Sequence, residues 1–310
     1  MKSIYKIITV LLMLHLSVRS FAQDNNDDDY DAEQNINKKG FHTGVFLGGI
    51  FPNNYTATLY DGYGFDYNEN KNDFANSFMY EKIIMQYGGG DGQTDLIAEA
   101  LGIDHTDWSF DESDMPVNMR YHPAFLIGFD ARYGFNKKNS LLFNLNVAQL
   151  TINGNFTITT RPPPNSTQIN NSIKTYDIKG GEQRMTMQAG YQRIFGESVN
   201  INFFMEGGLQ LTYARFLKNE IMIEELHINL ADSYVQTGYA STELNKPTGT
   251  GIGVFAGLGI NLTLNSKWSV QFVYNPSYEK INIGYHQKRT LQNAVGFRTL
   301  INLSVKKSEE

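Results

Sequence analysis

The chain has 310 residues, no cysteine, and 26 Lys plus Arg against 32 Asp plus Glu, a formal net charge of −6. That balance argues against nucleic acid as a partner, and the absence of thiols excludes disulfides and thiolate metal sites. Aromatic residues reach 13%, with 18 Tyr, 20 Phe and 28 Gly, yet hydrophobic residues make up only 41%. A wall whose side chains alternate between an apolar exterior and a small or polar interior needs this mixture, whereas a soluble domain of this length usually carries less Tyr and Gly.

At the N-terminus, Lys2 and Lys6 flank the start of the apolar run Ile7 to Leu14, and Ser20 and Ala22 frame a cleavage site before Gln23. That order predicts a secretory signal peptide over residues 1–22. The apolar run is far shorter than the roughly 20 residues a helix needs to cross a bilayer, and no lipid-anchoring cysteine follows it. Cleavage removes Lys2, Lys6 and Arg19, leaving 23 cations against 32 acids and a mature charge of −9. The acidic run Asp24 to Glu33 opens a periplasmic leader over 23–40, read as a solvated charge run, with calcium or partner binding as the alternative.

From residue 41 on, the dominant signal is a period of two. Val199, Ile201, Phe203, Met205, Gly207, Leu209, Leu211 and Tyr213 share one face, while Asn200, Asn202, Phe204, Glu206, Gly208, Gln210 and Thr212 share the other. Ile252 to Leu264 and Val295 to Val305 alternate in the same way. Eight strands follow, over 41–52, 120–135, 140–160, 180–195, 199–217, 250–264, 267–278 and 292–306, most of them longer than the ~9 to 11 residues of a tilted membrane strand. The connections alternate strictly between long and short, beginning with the long segment 52–119. The short ones, Asn136 to Asn139, Gly196 to Ser198 and Asn265 to Ser266, are polar turns. This predicts an all-β, eight-stranded antiparallel transmembrane β-barrel over 41–307, with a tail at 308–310, short periplasmic turns and long extracellular loops.

Three segments carry a family likeness: the opening strand Gly44-Val45-Phe46-Leu47-Gly48-Gly49, the run Gly128-Phe129-Asp130-Ala131-Arg132-Tyr133-Gly134-Phe135 before a short turn, and the closing Gly296-Phe297-Arg298. On these the chain resembles the small outer-membrane β-barrel proteins of Bacteroidota and is similar in architecture to the OmpX and OmpA barrel families. The likeness implies a location in the cell outer membrane, contact with outer-membrane lipid, and an accessory role among envelope or secretion-system proteins. Two departures stand out. The chain ends in Lys306-Lys307-Ser308-Glu309-Glu310 instead of a terminal aromatic, which leaves Phe297 to Val305 as the assembly signal, and no peptidoglycan-binding domain follows the last strand.

Segment 52–119 is the most individual, with 13 acidic residues against Lys71 and Lys82. Phe74, Phe78, Met79, Ile83 and Met85 have helical spacing, and Leu96, Ile97, Ala100 and Leu101 mark a second short helix beyond the flexible joint Gly88-Gly89-Gly90-Asp91-Gly92. The segment reads either as a recognition surface over the barrel mouth or as a loop packed onto the rim. Asp104, Asp107, Asp111, Glu112 and Asp114 supply the carboxylates Ca²⁺ prefers, without a recognised loop spacing. Two other loops read as strands carried beyond the membrane: Ile221, Ile223 and Glu225 alternate with Glu220, Met222 and Glu224, and Arg161-Pro162-Pro163-Pro164 forms a tip. Such hairpins are either an exposed binding edge or a rigid stalk.

The inward faces carry Asp130, Arg132, Arg184, Glu206 and Arg298. An eight-stranded interior is just wide enough for side chains to fill, so these charges read as an ion-pair network plugging the lumen, with a proton or small-solute path as the alternative. Catalysis has one candidate constellation, His122 at the outer end of the second strand with Ser113, Asp111 and Asp114 nearby, but no nucleophile motif surrounds Ser113. No cofactor is implied. Two function classes stay open: a noncatalytic surface protein that presents loops or joins an envelope assembly, and a specialised barrel that is a narrow transporter or a lipid-modifying enzyme.

Overall fold

The computed structural model describes residues 40–66, 68–84, 93–162, 170–196, 198, 200–233, 247–265, 267–286 and 288–303. The expected signal peptide, nearly all of the acidic leader, the glycine joint at 88–92, Met85, Pro163, Pro164 and residues beyond 303 lie outside them.

Eleven strands form in chain order: β1 Gly40–Phe51, β2 Trp108–Ser109, β3 Arg120–Tyr121, β4 Ala124–Gly134, β5 Asn139–Thr160, β6 Ser172–Phe195, β7 Ile201–Ile223, β8 Leu226–Asn229, β9 Thr248–Thr263, β10 Trp268–Asn282 and β11 Arg289–Asn302. Eight of them close on themselves in the order β1, β4, β5, β6, β7, β9, β10, β11, with β11 antiparallel to β1 through pairs such as His42 with Asn302 and Phe46 with Arg298. The sheet thus has no free edge in its lower part. Alternation makes this possible, because each strand commits one face inward along its whole length. On β5, Leu142, Asn144, Asn146, Ala148, Leu150, Ile152, Gly154, Phe156 and Ile158 are all buried, while Leu141, Phe143, Gln149, Thr151 and Asn155 between them are exposed.

Several strands extend past the expected bounds, three of them by four residues or more. β6 begins at Ser172 instead of 180, β7 runs to Ile223 instead of 217, and β10 runs to Asn282 instead of 278. The extra lengths of β5, β6 and β7 stand above the rest of the ring as a wall. β7 then turns through Glu224, at φ 49°, into β8. Between β6 and β7 the pairing shifts by one residue: Gly181 faces Lys218 but Glu182 faces Phe216, so Leu217 is extra. This bulge reverses the inward parity of β7, from Ala214 and Phe216 below to Asn219, Ile221 and Ile223 above.

The described residues of segment 52–121 pack against the inner side of this wall as a 3₁₀ turn Asn54–Tyr60, helix α1 Phe78–Ile83, helix α2 Gln93–Leu101, β2 and β3, the last two added to the edge of β5. Ser77 caps α1 by accepting from the Tyr80 amide at 3.1 Å. α1 buries Met79 and Ile83. α2 buries Ile97, Ala98 and Leu101, whereas Leu96, expected on its apolar face, is exposed. With Leu59, Trp108, Phe110 and Met119 they form one core against Leu150, Ile152, Phe156, Ile178, Ile221 and Ile228 of the wall. We call this upper body the crown.

Candidate functional site: a doubly filled interior

Below the crown many of the inward side chains are polar: Asn144, Asn146, Thr186, Gln188, Gln192, Glu206, Gln210, Thr212, Asn261, Gln271, Asn275, Ser277, Glu279 and Gln292 are buried there, among the apolar Phe46, Leu126, Leu142, Phe204, Val273 and Leu300. Charge collects at two levels.

At the lower level, Asp130 from β4, Arg132 from β4, Glu206 from β7 and Arg298 from β11 converge. Arg132 Nη2 lies 3.2 Å from Glu206 Oε2, and Arg298 grips both carboxylate oxygens of Glu206 at 3.1 Å. Arg298 Nε is 2.5 Å from Asp130 Oδ1, and Arg132 lies 3.8 Å from the same oxygen. Gln192 bridges the group, accepting from Arg132 and donating to Glu206 at 3.3 Å, and Gln271 accepts from Arg298 at 3.1 Å. Two carboxylates meet two guanidinium groups, so the cluster is neutral. The match matters because burying an unpaired charge costs several kcal/mol. Room for Glu206 comes from Gly257 opposite: a Cβ there would sit 2.5 Å from Glu206 Cγ.

Arg184 does not join that cluster, contrary to the expectation of one network. It lies eight residues above Gln192 on β6, roughly 26 Å along the strand, beyond the reach of any side chain. There Arg184 Nε donates to the Glu182 carboxylate, and Nη2 reaches Thr56 Oγ1 and the Tyr121 hydroxyl, both at 3.0 Å. Glu182 in turn accepts from the hydroxyls of Tyr121 at 2.7 Å and Tyr60 at 3.2 Å. Thr56, Tyr60 and Tyr121 all belong to the crown segment, so this second cluster is the bolt between crown and ring. The Tyr60 ring stacks on Phe216 at 5.1 Å and lies flat on Gly180, where a Cβ would come within 2.5 Å of it.

Glu182 and Glu279 are buried charged residues of the ring strands absent from the sequence reading. Period two had the means to find both. Glu182 shares the inward parity of Arg184 two residues on, and Glu279 shares that of Asn275 and Ser277, just past the expected strand end at 278. Glu279 accepts from the Thr212 hydroxyl.

Two small cavities of mixed lining flank the lower cluster. One, at the turn end, holds about 50 Å³ and is lined by His42, Arg132, Lys137, Gln192 and Lys267 among others. The other, between the clusters, holds about 30 Å³ and is lined by Arg184, Gln210, Ser277, Glu279 and Arg298 among others. Each has room for a few water molecules.

The other sequence candidates fall apart spatially or serve the backbone. The Ser113 hydroxyl donates to Asp111 at 2.6 Å, and Asp111 and Asp114 cap the short helix Glu112–Asp114 reciprocally. The exposed His122 instead docks its backbone amide on Thr151 at 2.9 Å. Among the described residues no three His, Asp or Glu side chains are grouped to hold a metal ion.

No family model matches the chain, and no curated protein matches it. Among solved structures it is similar to Neisserial surface protein A, with 8% identity, a TM-score of 0.39, and coverage of 85% of this chain and 97% of that one. The outer membrane protein OprG from Pseudomonas aeruginosa matches at 8% identity and a TM-score of 0.35, covering 87% and 99%. The attachment invasion locus protein Ail of Yersinia pestis matches at 9% and 0.31, covering 84% and 98%. Likenesses this distant leave the functional reading to the chain's own residues.

Proposed function

We propose that this chain is a noncatalytic β-barrel of the bacterial outer membrane whose interior is closed and whose work is done by the folded crown at the cell surface. The short turns at 136–139, 196–198 and 265–266 then face the periplasm, and the crown faces outward. The membrane part of the reading rests on the outer surface of the ring, where Phe125, Phe143, Phe203, Leu209, Leu258, Phe272 and Phe297 are exposed over a polar interior. Soluble proteins rarely expose so continuous an apolar band, while a lipid-facing wall requires it.

One observation supports a closed interior above all: the lumen is occupied twice, by the neutral cluster around Glu206 and Arg298 and by the crown bolted through Glu182 and Arg184. The crown's acidic surface and tall β-wall suit contact with another envelope or secretion-system protein. The small cavities on either side of the lower cluster favour a second reading, a narrow transporter for water-sized or proton traffic. Planar-bilayer recording with the purified chain separates the two. The closed barrel gives no stable conductance and leaves a pH gradient across vesicles intact, and either a steady conductance or a collapsed gradient from the unmodified protein would replace this reading with the transporter.

A further inference from the structure

The inward and outward faces exchange character at one height. On β10 the inward residues are Gln271, Val273, Asn275, Ser277 and Glu279 below but Ile281 above, followed by Ile283 just past the strand, while the outward ones change from Phe272, Tyr274 and Tyr278 to Lys280 and Asn282. On β7 the outward run ends at Tyr213 and Arg215, where the inward run turns from Thr212 to Ala214 and Phe216. On β5 the exchange falls between Val147 and Gln149. Below this height the surroundings are hydrocarbon, and above it they are water, so the exchange marks the outer interface of the membrane. From Trp268 to Tyr278 the strand has the ~9 to 11 residues a tilted crossing takes, which sets Lys280 at the headgroup level.

At that level Lys280 of β10 stands directly opposite Arg289 of β11, both pointing outward. Opposed residues in an antiparallel pair have Cβ atoms about 5 Å apart, and like charges so placed are destabilising. Neither cation has a carboxylate within salt-bridge distance among the described residues, and neither does Arg215 at the same level. The other outward side chains there, Gln149, Gln183, Thr248, Thr250 and Asn282, are neutral. In the crown above, Lys71, Lys82, Lys174, Lys179 and Lys218 each sit beside an acid, while the exposed Arg120, Arg161 and Lys288 do not. In an acidic protein, Lys280 and Arg289 are thus an unneutralised like-charged pair at the outer headgroup level, over the exposed apolar side chains Tyr278, Leu291 and Ile252.

We propose that Lys280 and Arg289 form a binding site for the phosphate of an outer-leaflet glycolipid, its acyl chains lying along Tyr278, Leu291 and Ile252. The guanidinium fork of Arg289 supplies paired N–H donors to phosphate oxygens and Lys280 a point charge, and the bound phosphate relieves the repulsion between them. The inference rests on the membrane reading above.

The test uses the full mature chain refolded into phosphatidylcholine vesicles containing either bisphosphorylated lipid A or the same lipid with its phosphates removed. Insertion is read first, by heat-modifiable gel mobility. A chain that does not insert overturns the membrane reading itself, and this site with it. For inserted protein, native mass spectrometry counts lipid retained on extraction. Retention is expected to fall roughly tenfold or more when the phosphates are removed, and equally in the double variant Lys280→Gln/Arg289→Gln. Lys179→Gln/Lys218→Gln in the crown should retain lipid as the unmodified chain does. Equal retention of both lipids by inserted protein, or equal loss in the crown variant, overturns the site. Displacement of the lipid by millimolar inorganic phosphate would make it a simple anion site and overturn the assignment to a lipid.

Discussion

The ring and the crown are built from the same strands but bury opposite chemistry. Along β5, Asn144 and Asn146 point inward beneath Leu150, Ile152, Phe156 and Ile158, and the outward residues change from Leu141, Phe143, Leu145 and Val147 to Gln149, Thr151, Asn153 and Asn155. In the crown, water surrounds the wall and apolar side chains gather inside it, as in any soluble protein. In the ring, the outer solvent is hydrocarbon, so apolar side chains lose nothing by facing it. The interior is then free to hold polar groups, provided each finds a partner. One continuous strand therefore satisfies two solvents by exchanging faces without a break in its hydrogen bonding.

The contrast can be broken most strongly at the lower cluster. Glu206→Gln leaves Arg132 and Arg298 sharing Asp130, and should destabilise the folded chain by about 3 to 5 kcal/mol, the range for an uncompensated buried charge. Adding Arg298→Gln restores one acid to one base and should recover part of that loss. Urea titration in vesicles, following heat-modifiable mobility, measures both. A double variant as unstable as the two losses added together would mean that the cluster does not act as a unit.

A pair of outward substitutions on β7 sharpens the comparison across the interface. Leu209→Arg places a charge on the exposed apolar band near its middle and should cost ~2 to 4 kcal/mol. Met222→Arg lies on the outer face of the wall, above the exchange of faces and opposite Asp177, and should change stability by less than ~0.5 kcal/mol. Equal penalties would place the interface elsewhere.

The smallest expected effect is confined to the crown. His286 is buried between β10 and β11, with its ring against Tyr55 and Tyr285 and Nε2 3.3 Å from Thr58 Oγ1. Burial, and secondarily the charge of Lys71, push its pKa down from 6.5 to about 4. The unfolded crown therefore takes up this proton first. The contribution is whole above pH 6.5 and is lost as the pH falls towards about 4. Limited proteolysis of segment 52–121 should accelerate over that window, and His286→Gln should flatten the dependence. A crown equally resistant at pH 4.5 and 7.5 would show that the imidazole is not sealed in.

Much of this was legible in advance. Period two exposed every long strand and its inward face, because a strand between two solvents must alternate, and the same parity put Asp130, Arg132, Glu206 and Arg298 on inward faces. Of the residues given helical spacing within 52–119, Phe78, Met79 and Ile83 fall in α1 and Leu96, Ile97, Ala100 and Leu101 in α2, but Phe74 precedes α1, Met85 lies outside the described residues and Leu96 is exposed. What parity cannot supply is height. It tells which side a residue faces but not how far up the strand its partners stand, so Arg184 was grouped with a cluster it cannot reach, and Glu182 beside it went unnoticed.

By itself, then, the sequence determined the alternation, the strand count and the sign of each face, all local consequences of a two-residue repeat. The tertiary structure alone decided the shear between strands and the bulge at Leu217, which sort the interior charges into two levels. It also decided that the described residues of segment 52–121 share one core with the wall. Those outcomes depend on which residues from distant strands meet at one height, and ring closure sets that.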